Sequence, residues 1–479
     1  MAAHPDASPD ASEAPGLFAR TFAALSERDY AWYFVGNTAF FMAMQMNFVV
    51  RGYLAFELTD SATALGLVAV SFAIPMMLVA PVAGVISDRV NKKHLLMVMQ
   101  TCSGLVNLVI AILIVTGNIE FWHLLATAVV TGSIMSTVMP TRQAVIPQLV
   151  PQQLMMNAIS LQMGGMNLTR ILGPAVGGLA IAPLGVGGVY FLTVGLFVLS
   201  VLSLIPLPSH GMVSTTKEER SSFIEDLFGG FQFIAGSSLF RLLIASALLM
   251  PLFAFPVQQI LPVLADDPYD TVFGESALAL GVMMSATGVG GLVGAIISAA
   301  LSDDPRKGML MFAGAVSMVL CFVVFATASL WLPVNIAFAA AVLLLIAGNV
   351  GAMIFQVTNN SVIQARVPEQ YRGRVMSVMM MSFGTMPLGV VPVTMAADAW
   401  GAPAAIIGSQ AIGLVIILAI FGASRALREL RIASLGRAEM SPSQAARLVA
   451  DGEITQAEAD RLSGRSPRSA DVPESVSGG

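Results

Sequence analysis

Twelve apolar runs, each long enough to cross a lipid bilayer, divide most of this chain and constrain it more than any other feature. They fall near 30–56, 63–87, 94–117, 121–144, 155–183 and 187–207, then near 239–265, 277–301, 307–328, 332–360, 371–397 and 402–426. A helix rises about 1.5 Å per residue, so about 20 apolar residues span a hydrocarbon core about 30 Å thick. Inside lipid every backbone amide and carbonyl must be paired within the protein, which makes helices the expected form for such runs. The expectation is an all-α membrane protein with twelve transmembrane helices.

Composition agrees and excludes other classes. The 479 residues are 56% hydrophobic and 11% charged, against about 25% charged in soluble domains. A cytosolic enzyme is thereby excluded, and a net charge of −5 offers nothing to nucleic acid. Positive charge in short loops favours the cytoplasmic side. With the N-terminus inside, all of the 24 lysines and arginines except Arg51 and Arg170 fall on that side. The opposite loops carry Glu57, Asp60, Glu120, Asp266, Asp267, Asp270, Glu275 and Asp398. Both termini are therefore expected in the cytoplasm. Met1–Gly16 lacks a basic start and an apolar core, so it reads as a disordered lead and not a secretory signal. Cys102 and Cys321, far apart and inside apolar runs, form neither a disulfide framework nor a metal site.

The chain also repeats itself. Val150–Ser160 aligns with Val367–Ser377, and Ser87–Lys92 aligns with Ser302–Lys307. Such a repeat implies two six-helix bundles about an axis along the membrane normal, with a substrate site between them near the midplane. The expected parts are a cytoplasmic N-terminal segment (1–29), a first bundle (30–207), a cytoplasmic linker (208–238), a second bundle (239–427) and a cytoplasmic tail (428–479).

Two sets of residues narrow this further. After the second run stand Gly84, Asp88, Arg89, Lys92 and Lys93, with a partial second copy at Asp303 and Arg306 that lacks the glycine. Later come Pro140-Thr141-Arg142-Gln143, Pro147, Pro151, Asn157, then Asn167, Arg170, Gly173 and Pro174, with Arg372 and Arg374 before the eleventh run. At these residues the chain resembles the major facilitator superfamily over roughly 25–428, and more narrowly the branch that contains the enterobactin exporter. The resemblance implies that superfamily's fold, a bacterial inner membrane, alternating access, and export of a small amphiphilic metabolite, siderophore or drug. It implies a gating role for Gly84, Asp88, Arg89, Lys92, Asp303, Arg306, Arg372 and Arg374, which plain positive-inside charge would also explain.

Arginine near a bilayer centre costs about 2.5–3.5 kcal/mol on insertion scales, so Arg51 and Arg170 should face a cavity or a partner. Asn47 lies one turn from Arg51 and Asn167 one turn from Arg170. For Arg51, snorkelling towards the interface is an equal alternative. Gln45, Gln258, Asn349 and Gln356 complete the candidate substrate-binding set, although amides in membranes also join neighbouring helices. Gly173, Pro174, Gly177 and Gly178 are candidate helix-bending residues, because proline removes a backbone hydrogen bond and glycine permits close helix contact.

No phosphate-binding Gly-Lys-Ser/Thr loop is present, so transport would draw on gradients and not ATP. Every carboxylate lies at a span end or in a loop, which leaves the coupling proton or other ion unidentified. Two arginines without a deep carboxylate point to a cavity for anions or neutral amphiphiles. A membrane potential of about 100 mV would drive an exported monoanion by roughly 2.3 kcal/mol. The remaining expectations are a monomer, a small-molecule substrate, contact with membrane lipid, no metal and no cofactor. The tail around Ala450–Ile454 has helix-like pieces, and Thr455 with Glu458 matches a capping box. Import of a small organic anion and a non-transporting membrane scaffold or sensor are the rival readings.

Overall fold

A computed structural model describes residues 22–208, 232, 234–302, 304–368, 371, 375, 378, 379, 386–423 and 427. The described residues form helices and no strands. The longer ones, in chain order, are α1 (Arg28–Thr59), α2 (Ala62–Arg89), α3 (Lys92–Val115), α4 (Phe121–Leu149), α5 (Met155–Leu204), α6 (Ser238–Ala247), α7 (Phe255–Asp266), α8 (Ser276–Ala300), α9 (Lys307–Trp331), α10 (Val334–Arg366), α11 (Met386–Trp400) and α12 (Ala402–Ala423). A π-turn at Met250–Ala254 leads into α7. Within α5 the backbone leaves helical geometry at Gly185 (φ 67°, ψ 168°), which divides that element into two arms. Glycine is the residue for that conformation, since any other would meet its own backbone there.

Among the described residues, nine helical stretches are long and apolar enough to cross a membrane. α1 is not one of them, although it is 32 residues long. The cause is its own sequence: Asn37, Gln45, Asn47 and Arg51 dilute its hydropathy. Asn37, Asn47 and Arg51 are buried. α1 is thus the polar core helix of the first half of the chain, shielded from lipid by its neighbours.

Close packing follows the glycines. α1 and α5 approach where Gly36 meets Ser200 and Ser203, and where Gly173 and Gly177 meet Gln45 and Met46. In the second half, Gly290 and Gly294 seat α8 against Ile346, Val350 and Met353 of α10, and Gly314 seats α9 against Gly351 and Phe355 of α10. Lipid tails are as apolar as leucine, so helix association here depends on such close contact and on interhelical hydrogen bonds. Tyr30 and Tyr33 show the latter: their hydroxyls donate to the carbonyls of Ala158 at 2.6 Å and Arg142 at 2.9 Å.

Arg142, near the inner end of its span by sequence, is 2% exposed inside the first half of the chain. Its Nη1 donates to Asn37 Oδ1 at 2.5 Å, and its guanidinium carbon lies 4.1 Å from the Phe40 ring centre. Nε and Nη2 have no hydrogen-bond partner. A buried cation with one amide and one ring face is costly to maintain, and removing either partner leaves it more exposed to that cost.

Candidate functional site

Among the described residues, the first and second halves of the chain meet closely at one end. Several helix pairs make the meeting. α1 and α7 touch through Phe48 and Phe255, with ring centres 5.9 Å apart, and the Tyr53 hydroxyl lies 3.3 Å from Ser276 Oγ. α2 and α11 touch at Gly66, where a Cβ would lie 3.5 Å from Val391 Cα and collide with the Thr394 hydroxyl. The first arm of α5 crosses α8 at Gly178 and Gly281, where a Cβ on Gly281 would come within 3.0 Å of Gly178 Cα. Two turns further along α5, Ile171 Cα stands 2.8 Å from where Gly288 would carry a Cβ.

Hydrogen bonds lock the same end. Asp398 of α11 accepts from the Ser61 hydroxyl at 2.7 Å and from the amides of Ala62 at 2.6 Å and Thr63 at 2.8 Å. These amides are orphan donors of the first turn of α2, so a carboxylate from one half caps a helix of the other. Burial alone would raise the Asp398 carboxyl, but these hydrogen bonds outweigh it and hold it below the ordinary aspartate range.

Heptad spacing on α5 orders its contacts with α8. Gly164, Ile171 and Gly178 share one helix face. The latter two touch α8, whereas a Cβ on Gly164 would meet open space. On the adjoining face stand Met156, 74% exposed, Met163, 61% exposed, and an exposed Arg170. That face lies between the α1-facing glycines, Gly165 and Gly173, and the α8-facing residues. Leu168, Leu172 and Leu179, also exposed, lie on the far side of α5, as a lipid-facing stripe would. Met156, Met163 and Arg170 thus occupy the sector of α5 between its contacts with α1 and α8, which is the α5 wall of any vestibule between the halves. By register along α5 and α1, Arg170 stands between Thr38 and Gln45, close to the middle of α1.

The other sequence-derived candidates are distributed more widely. Asn167 is half-buried one turn from Arg170 on the vestibule wall. Gln45 packs under Gly173 at the α1–α5 crossing. Gln258 Nε2 donates to Asn349 Oδ1 at 3.4 Å, which links α7 to α10, and Gln356 is half-buried further along α10. Asn47 bonds Asn107 of α3. Arg51 reaches Thr131 of α4 at 3.4 Å and lies beside Tyr190, so it faces the interior of the first half and not the vestibule. Gly173 and Gly177 serve close α1–α5 packing, Gly178 serves the α8 crossing, and the backbone break lies beyond Pro174, at Gly185.

Of the gating set, Gly84, Asp88 and Arg89 lie on the last turns of α2, and their side chains are outside the described residues. Asp303, Arg372 and Arg374 are outside them altogether. Lys92 is buried at the start of α3, and the Arg306 amide donates to Asp304 Oδ1 at 2.7 Å ahead of α9. Residues 1–21 and the tail from 428 are likewise undescribed. Sequence reasoning missed Asp398 as more than a loop charge, and it missed the Met156–Met163–Arg170 heptad. The spacing of that heptad is visible in the sequence once α5 is known to touch two neighbours.

Comparison with known proteins agrees with this geometry. A family model described as transmembrane secretion effector matches residues 19–452. A staphyloferrin A transporter of Staphylococcus aureus is 25% identical over 378 residues, 77% of this chain and 90% of that protein. An enterobactin exporter of Escherichia coli is 26% identical over 298 residues, covering 61% of this chain and 67% of that one. An uncharacterized MFS-type transporter of Bacillus subtilis is 28% identical over 182 residues, and the match spans only 42% of its length. Among solved structures, a nucleoside transporter, NupG, matches with a TM-score of 0.66 at 15% identity, over 82% of this chain and 98% of that one. A bacterial homolog of the lysosomal transporter Spinster, inward-facing and unoccupied, gives 0.63 at 13%, over 87% and 98%. The structural likenesses show the fold.

Proposed function

Because the chain belongs to the transmembrane secretion effector family of major facilitator transporters, we propose that it exports a small amphiphilic metabolite, siderophore or drug across a bacterial inner membrane. The protein is a multi-pass transporter and not an enzyme. On this proposal twelve spans form two bundles, 30–207 and 239–427, joined by the linker 208–238, with both termini in the cytoplasm. The face closed by Asp398 is then external, and the vestibule opens to the cytoplasm, where an exported compound would enter.

The observation that carries the proposal is the sealed contact between the halves at one end: they touch at Gly178–Gly281 and Ile171–Gly288, and Asp398 of α11 caps α2. A site reached from one side and sealed on the other is what alternating access requires at each of its end states. The relatives named for siderophores supply the substrate class. In the gating role proposed for them, Asp88, Arg89, Lys92, Arg306, Arg372 and Arg374 would close the opposite face when the Asp398 face opens.

The test compares culture medium from deletion, wild-type and overexpressing cells by untargeted mass spectrometry. Export is expected to enrich one compound in the medium with expression level and to trap it in cells lacking the protein. Media indistinguishable across the three strains would overturn the proposal. Depletion of a compound from the medium on overexpression would replace export with import.

A further inference from the structure

We propose that the vestibule wall formed by Met156, Met163 and Arg170 binds an amphiphilic organic anion, its apolar body along the thioethers and its carboxylate on the Arg170 guanidinium. This deepens the export proposal and rests on it for the direction of movement. The first supporting observation is placement. Arg170 is exposed although Ile171, its neighbour, packs against Gly288 of the other half and Gly173 packs against Gln45. Its side chain therefore opens into the space that those two contacts bound.

The second observation is the absence of any countercharge. Among the described residues no carboxylate pairs with Arg170. Arg142 and Arg51, both buried in the first half, also have no carboxylate partner among the described residues. Along α1 their contacts lie at Asn37 and at Arg51 itself, with Arg170 at an intermediate level. Three fixed cations staggered across a low-dielectric layer raise its potential and favour an anion over a cation. Guanidinium adds a planar fork that matches a carboxylate, which an ammonium does not.

The third observation is the spacing of the apolar part. Met156, Met163 and Arg170 stand at successive two-turn intervals, so about 10 Å separates each from the next along the helix. Methionine adapts to irregular apolar surfaces. A ligand with a flexible or aromatic body of that length and an acidic head fits the wall, and a small hydrophilic anion does not.

Full-length protein in nanodiscs provides the test, read as dansyl anisotropy with three probes: N-dansyl-phenylalanine (anion), its methyl ester (neutral) and dansylcadaverine (cation). The anion is expected to bind most tightly. Arg170→Ala should weaken it about tenfold, the worth of one charged hydrogen bond, and leave the ester unchanged, while Arg170→Lys recovers part of the loss. Met163→Glu, at an exposed position that does not threaten folding, should weaken the anion and strengthen dansylcadaverine. Equal affinities for the three probes, no binding of the anion, or an anion affinity indifferent to Arg170→Ala would overturn the inference. None of those results touches the export proposal, which fails only on the medium comparison.

Discussion

Asp398 caps the first turn of α2 from the other half of the chain, with Oδ1 2.6 Å from the Ala62 amide and Oδ2 bound to Ser61 and Thr63. A side-chain cap is worth about 1 kcal/mol, and this one is lost whenever the two halves separate at that face. It therefore biases the closed state by roughly that amount. Asp398→Ala is expected to shift the population about fivefold towards opening at this face, read as faster maleimide labelling of a cysteine at Thr394 in a Cys102→Ser, Cys321→Ser background. An unchanged labelling rate would remove Asp398 from the gate.

The same carboxylate sets a pH dependence. In the closed state its pKa is depressed, so closure is fully supported above the ordinary aspartate range and weakens as pH falls through the depressed value. With Thr394→Cys as reporter, labelling of the Asp398 protein should rise on acidification relative to the same reporter in Asp398→Asn, which cannot titrate; the ratio removes the intrinsic slowing of the thiol as it protonates.

Arg142 and Asn37 form a different dependency. Asn37→Ala removes the one hydrogen bond to a buried guanidinium and is expected to cost about 2–3 kcal/mol, seen as a lower melting temperature in detergent. Arg142→Met, an apolar replacement of similar length, should be close to neutral and should rescue Asn37→Ala. If the double variant melts no higher than Asn37→Ala alone, the buried charge is not the source of the loss.

Gly178 and Gly281 leave no room for a side chain between α5 and α8. Gly178→Leu is expected to hold the halves apart, abolish transport and keep the protein at normal abundance in the membrane, because the substitution falls between the halves and not within one. Wild-type transport by this variant would show that closure does not need the crossing.

Topology is open to direct measurement. In the cysteine-free background, Val90→Cys should label only from the cytoplasm and Asn118→Cys only from outside, both positions being exposed. The reverse pattern would invert the proposed orientation.

The helical class was legible because period and length are local properties. Twelve runs and their Gly, Pro and charged boundaries can be read without knowing what touches what, and the break expected between 183 and 187 falls at Gly185. Long-range partnerships are not local. Arg142 sits near a predicted span end, and only Asn37 and Phe40, on another helix, reveal that it turns inward. Asp398 looked like one more loop acid because its partners are the backbone amides of Ala62 and Thr63, and a backbone donor has no sequence signature. Arg170 could be picked out because a charge inside an apolar run is conspicuous whatever it faces. Arg51 was equally conspicuous, yet it turned towards Thr131. An intramembrane charge shows that something compensates it without showing which neighbour does so.

The bare crossing at Gly178 has a mechanical meaning. From there to Met156, α5 runs for about 33 Å as a stiff rod. Pivoting by about 10° on a smooth point of contact would sweep its far end through about 6 Å, a lever whose short arm barely stirs. Two missing side chains could thus turn a slight tilt at one mouth of the protein into a wide aperture at the other, with no helix needing to unwind.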